Sequence, residues 1–155
     1  MSSAGKTSEA GLTLVEMVIV VAIVGMIAGI TYPAVSSGLE SVHLTSASDN
    51  VASFINAALN RVERRQEPLE LQISVKQSSL ALHSIEPGFE RKLTLPEGIT
   101  IVDSDPNASY QIILLPGGTA PRIGIELKNR KGSRRLIRVD PMTGIPRIEM
   151  PKETT

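Results

Sequence analysis

Gly11-Leu12-Thr13-Leu14-Val15-Glu16-Met17 opens an apolar segment that continues to Val35. From Met17 to Leu39 no side chain is charged. Glu16 therefore sits alone just inside the start of a stretch that reads as membrane-spanning. A carboxylate costs about 2.5–3.5 kcal/mol at a bilayer centre and less near the interface, so an acid in such a place marks a functional site that needs a named partner. The apolar core is long enough to cross a bilayer, which takes about 20 residues at about 1.5 Å each.

Upstream, Met1–Gly11 is small and polar, as a leader is. A secretory signal peptide has a shorter apolar core with a small-residue cleavage site behind it. Here the small-residue junction, Ala10-Gly11, lies ahead of the apolar run, and only Ile27-Ala28-Gly29 offers a weak site behind it. A cut after Gly11 would leave the apolar helix on the mature chain. Lys6 favours a cytoplasmic leader by the positive-inside rule, and Glu9 dilutes it. Pro33 lacks an N–H, so a kink or a melted turn is expected near Gly29–Pro33.

Beyond Pro33 the pattern turns amphipathic. Ala47, Val51, Phe54, Ile55, Ala58 and Val62 recur at helical spacing, with Asp49, Asn50, Asn56, Asn60 and Glu63 opposite. Arg61, Arg64 and Arg65 load the last turns with positive charge, and Glu67-Pro68 ends the helix. A helix from Leu12 to Arg65 would be about 80 Å long at about 1.5 Å per residue. Its first half needs lipid or sister helices, and its second half needs a sheet.

The sheet follows. Leu69–Val75 alternates apolar and polar, Lys76–Ser79 turns, and Leu80–Ser84 returns. Glu86-Pro87-Gly88 breaks the chain. Further strands are expected at Arg91–Leu95, Ile99–Val102, Tyr110–Leu115, Arg122–Lys128, Arg134–Val139 and Ile145–Glu149. Pro96–Gly98, Pro116–Gly118, Asn129–Ser133 and Asp140–Gly144 supply the turns between them. The expected class is α+β. A long N-terminal helix, transmembrane over 12–35 and amphipathic over 36–67, follows a leader of 1–11 and packs on an antiparallel β-domain of 68–155.

Several chemistries lack their residues. The chain has no cysteine, so there is no disulfide framework and no thiolate nucleophile. With no tryptophan, two tyrosines and two phenylalanines, stacking on bases has little support. No G-x-S-x-G elbow and no phosphate-binding glycine motif occurs, and His43 and His83 are isolated in sequence. Asp103-x-Asp105-x-Asn107 imitates the first half of an EF-hand loop. Ala108 then replaces the turn glycine, and Leu114 stands where the bidentate glutamate belongs. A structural subunit with no catalytic site, no metal and no cofactor is expected.

Formal net charge is zero, yet its distribution is uneven. Glu40–Leu115 holds six Lys/Arg against ten Asp/Glu, and Pro116–Thr155 nine against four. Arg122, Lys128, Arg130, Lys131, Arg134, Arg135 and Arg138 crowd the last hairpins. Such a cluster reads as a solvated surface, a docking face for an acidic neighbour, or a salt-sensitive grip on DNA phosphates.

Gly11, Leu12, Thr13, Leu14, Val15 and Glu16 together resemble the signal of type IV pilins and type II secretion pseudopilins: a glycine, a hydrophobic residue (most often Phe, here Leu12), Thr, Leu, an apolar residue and Glu. Gly25 and Pro33 also sit where such helices carry a glycine and a proline. The resemblance implies that a prepilin peptidase cuts between Gly11 and Leu12 and methylates the new Leu12 amine. Glu16 then faces the amine of a neighbouring subunit, where a subunit out of register leaves both charges unpaired at a cost of several kcal/mol per ion.

The body of the chain is similar to one branch of that family, the minor pseudopilins of the H type and the FimT-type pilins. The similarity rests on Ala57–Arg65 running into Leu69–Val75, on Pro121–Ile125, and on a last hairpin around Asp140-Pro141-Met142-Thr143-Gly144. The implied function is a subunit at the tip or initiation complex of a type II secretion pseudopilus. The alternative is a FimT-type minor pilin serving pilus assembly and DNA uptake. The implied partners are prepilin peptidase, other pilins or pseudopilins, the inner membrane and its assembly platform; DNA is a partner in the alternative alone, through Arg130, Lys131, Arg134, Arg135 and Arg138. The implied location is the inner membrane, single-pass, N-terminus cytoplasmic and C-terminal domain periplasmic, and then the filament.

Overall fold

The computed structural model describes residues 13–85 and 88–151, and for residues 30–37 the backbone alone. Helix α1 is Leu14–Arg65. Eight strands follow: β1 Leu69–Ser74, β2 Ser79–Ser84, β3 Glu90–Thr94, β4 Ile99–Val102, β5 Ser109–Leu114, β6 Gly124–Asn129, β7 Arg134–Val139 and β8 Pro146–Glu149. Every strand expected from alternation is present, with ends moved by two residues or fewer. By Cα proximity the chain divides into two units, Met1–Gly38 and Leu39–Thr155.

In the second unit the helical stretch buries one stripe. Leu44, Ala47, Ser48, Val51, Phe54, Ile55, Ala58 and Val62 are buried, at the spacing that keeps them on one face. Each large apolar side chain taken fully out of water contributes about 1.5–3 kcal/mol. Ser48 is tolerated there because its hydroxyl donates to the Leu44 carbonyl at 2.8 Å. Thus α1 packs on an antiparallel β-domain through a single apolar cluster that draws on both sheets.

The first sheet has the order β3-β2-β1-β5 and the second β4-β6-β7-β8, with every recorded pairing antiparallel. Leu69, Leu71 and Ile73 of β1 face the core, opposite Leu82 and Leu80 of β2. In the second sheet Ile99 and Ile101, Ile125 and Leu127, and Ile137 and Val139 do the same. Period-two alternation therefore sets which face of each strand is buried.

Helix α1 ends without glycine. Gln66 takes the left-handed conformation at φ 55° and its N–H donates to the Val62 carbonyl at 2.9 Å. Its side-chain amide donates to the Glu63 carbonyl. These bonds satisfy carbonyls that a helix terminus otherwise leaves free, and Pro68 prevents resumption. At Pro33 the backbone is helical on both sides, so the melted turn expected near Gly29–Pro33 is not the form it takes.

Candidate functional site

At the N-terminal end of α1, Thr13 caps the helix. Its hydroxyl accepts the Glu16 N–H at 3.2 Å, and its carbonyl accepts the Met17 N–H at 3.2 Å. Thr13-x-x-Glu16 has capping-box spacing, and Glu16 lies in the first turn where the helix dipole favours an anion. Glu16 thus has a local role that its solitary position in the sequence does not announce. Gly11 and Leu12, the expected cleavage and methylation positions, lie outside the described residues, as does Glu86-Pro87.

From Thr13 to Gly29 every described residue is exposed, Leu14 at 81% and Met26 at 70%. Apolar side chains all round a helix have no partner in water. Among the described residues no helix is long and apolar enough to cross a membrane.

The Asp140–Gly144 turn is held by one side chain. The Asp140 carboxylate accepts the Met142 N–H at 2.9 Å and the Thr143 N–H at 3.2 Å, and the Arg147 guanidinium lies 3.4 Å from it. The Asp140 carbonyl accepts the Gly144 N–H at 2.8 Å, with Gly144 at φ 70°. These N–H donors, with Arg147 helping, hold the Asp140 carboxyl below the usual carboxylate range. Met142 is left 93% exposed at the tip. Beside it Ile113, Leu115 and Ile145 are exposed around a groove of about 620 Å³. The far wall of that groove is Asn56, Asn60 and Glu63 of α1; Glu63 accepts the Gly117 N–H at 3.0 Å and so ties the helix to the β5–β6 loop.

The basic residues of the last hairpins do not form one patch. Arg134 lies on the face of the second sheet away from the core and pairs with Glu126 at 3.0 Å. Arg138 shares that face, flanked by Gly124 and Arg147. Arg135 alternates to the other face, opposite Leu127, and is half-buried. Arg130 sits in the β6–β7 turn 3.7 Å from Glu97, and Lys131 follows it with its N–H donated to Asn129.

Asn129 is a residue the sequence reading passed over as part of a turn. It is buried, its side-chain oxygen accepts the N–H groups of Lys131 and Ser133, and its amide nitrogen lies 3.5 Å from the Glu40 carbonyl. One side chain therefore closes a hairpin and links it to α1.

Asp103 and Asp105 spend their oxygens locally. Asp103 accepts the Asp105 N–H and the Tyr110 hydroxyl, and Asp105 accepts the Asn107 N–H. The Asp105 backbone bond and the Tyr110 hydroxyl lower the Asp103 pKa, and the Asp103 bond in turn raises that of Tyr110. The EF-hand likeness is a pair of Asx turns. His83 belongs to interior strand β2, with Glu70 and Glu90 as its cross-strand neighbours. Among the described residues no group of three or more His, Asp and Glu is placed to hold a metal ion.

Residues 6–32 match the prokaryotic N-terminal methylation motif. The chain carries a type IV pilin-like signal. That signal covers the end of the leader from Lys6, the Gly11–Leu12 junction, Glu16 and the exposed apolar arm, and it implies processing by prepilin peptidase and assembly with other pilins. No curated protein and no solved structure is matched by the chain.

Proposed function

We propose that the chain is a minor pseudopilin, a structural subunit of a type II secretion pseudopilus at its tip or initiation complex, and not an enzyme. The observation that carries this is the methylation motif at 6–32 running into a stretch with no charge from Met17 to Leu39. Support comes from the arm's exposed apolar surface, which calls for lipid before assembly and sister helices after it. Prepilin peptidase cuts after Gly11 and the Leu12 amine is methylated. Glu16 then pairs with the amine of a neighbour, and capping by Thr13 holds the first turn in a defined conformation for that contact. In this reading the arm spans the inner membrane, Pro33 bends the helix, and the β-domain is periplasmic.

The test is the secreted proteome of a clean deletion strain. Loss of exported enzymes, restored by the intact gene in trans, is the expected result. An unchanged secretome rejects the secretion role and favours a FimT-type pilin in DNA uptake. Arg138, on an open sheet face and without a carboxylate within salt-bridge distance among the described residues, is the observation on the side of that second reading. A transformation assay of the same strain separates the two.

A further inference from the structure

Arg61, Arg64 and Arg65 of α1 and Arg91 of β3 line one open groove of about 550 Å³. Register explains how a strand residue joins them. Arg91 pairs with Leu82, which is buried on the core side, so Arg91 emerges on the face of the sheet that meets the helix. Phe89, just ahead of β3, lies flat under the Arg61 guanidinium at 3.7 Å, and Phe54 lies 5.6 Å from that of Arg91.

Four guanidinium groups in one groove repel one another unless an anion lies between them. Among the described residues none of the four forms an ion pair, whereas Arg130, Arg134 and Arg147 each do. Glu63, which lies between Arg61 and Arg64 in sequence, accepts the Gly117 N–H with its carboxylate. The helix dipole accounts for Arg64 and Arg65, which sit in the last turn, with the Arg64 Nε donating to the Asn60 carbonyl. It does not account for Arg91, which is on a strand, or for Arg61. The Arg61 Nε is buried and has no hydrogen-bond partner among the described residues. A buried donor without an acceptor is costly, and the missing acceptor is an oxygen placed at the guanidinium edge.

We propose that this groove binds a multiply charged phosphate-type oxyanion. Stacking on Phe89 fixes the plane of the Arg61 fork, which suits two-point recognition of such oxygens. A carboxylate brings one negative charge to four cations, whereas pyrophosphate brings several. Both phenylalanines of the chain already turn a face to a guanidinium group, which leaves less aromatic surface for stacking a base. The ligand is recognised by its phosphate oxygens alone.

The test is calorimetric titration of the full chain, in non-ionic detergent, with inorganic pyrophosphate. Saturable binding is expected, weakened about tenfold by Arg61→Met, the loss of one charge-assisted hydrogen bond. Methionine keeps an apolar stem over Phe89. Arg91→Gln, at an exposed position, should weaken binding similarly, and Lys76→Gln, in the β1–β2 turn, should leave it unchanged. Three results would overturn the proposal: no saturable binding, equal weakening by Lys76→Gln, or binding gained only on Glu86→Gln. The last would mean that a carboxylate of the chain itself fills the groove.

Discussion

Ile55 and Ile23 lie in the same helix, and one is 0% exposed while the other is 51% exposed. The stretch Leu44–Val62 presents a stripe, with Asp49, Asn50 and Asn56 turned away from it, and two sheets of its own chain cover that stripe. Leu14–Gly29 is apolar all round, and no part of it is buried. Helical structure is common to both; the completeness of the partner is not. A stripe is satisfied by one surface, and a fully apolar cylinder only by an apolar surround. The lone acid of the second kind of helix, Glu16, then matters out of proportion to its size.

The largest effect expected from breaking this contrast is at Glu16. Glu16→Gln keeps the Thr13 cap, because the capping bond uses the backbone N–H, and removes the charge. Membrane insertion should be retained while recovery in sheared filaments drops about tenfold or more, the cost of leaving a neighbour's amine unpaired. Normal incorporation of this variant would reduce Glu16 to a first-turn acid. Next in size are paired truncations of the two isoleucines. Ile55→Ala should cost about 2–5 kcal/mol in urea unfolding of the β-domain, and Ile23→Ala less than about 0.5 kcal/mol. Similar values for both would mean that the arm also packs on the chain's own fold.

Asn129→Ala should cost about 1–3 kcal/mol, since two backbone N–H groups lose their acceptor at a buried site. A loss indistinguishable from that of Asn107→Ala, at an exposed turn, would deny the tether to α1 any weight. The smallest effect is at Asp140. Its carboxyl is depressed in the folded chain, so its stabilisation is present above the unfolded pKa and fades as the pH falls through about 4 and below. Thermal melts of Asp140→Asn should be less stable than the parent at pH 7 and converge on it at low pH. A constant gap across that range would assign the effect to packing instead.

Which parts of this were readable in the sequence follows from range. Leu69–Val75 alternates cleanly because one face meets the core, so strand and orientation are local properties. The same holds for the buried stripe of α1, named from spacing and found buried. The order of strands is not local. β1 takes β5 as its second neighbour, and β4 leaves for the other sheet, because the two sheets share one core that no single hairpin pattern encodes. Side-chain constellations depend on register in the same way. Arg134 and Arg135 are adjacent in sequence and part company on alternate faces, while Arg138, four positions after Arg134, returns to the face of Arg134. Arg61 and Arg91 are thirty positions apart and meet only because Arg91 pairs with Leu82. Asp103 and Asp105 show the converse. Their spacing imitates the start of a cation-binding loop, and their carboxylates accept instead from the Asp105 and Asn107 N–H groups and the Tyr110 hydroxyl.

The most direct test of a pilin-type role for the arm is the mass and N-terminal sequence of the protein recovered from its host's membranes. Processing as a pilin gives a chain that begins at Leu12 and carries one added methyl group. A chain that retains its leader, or one cut behind the apolar run near Ala28, would contradict it.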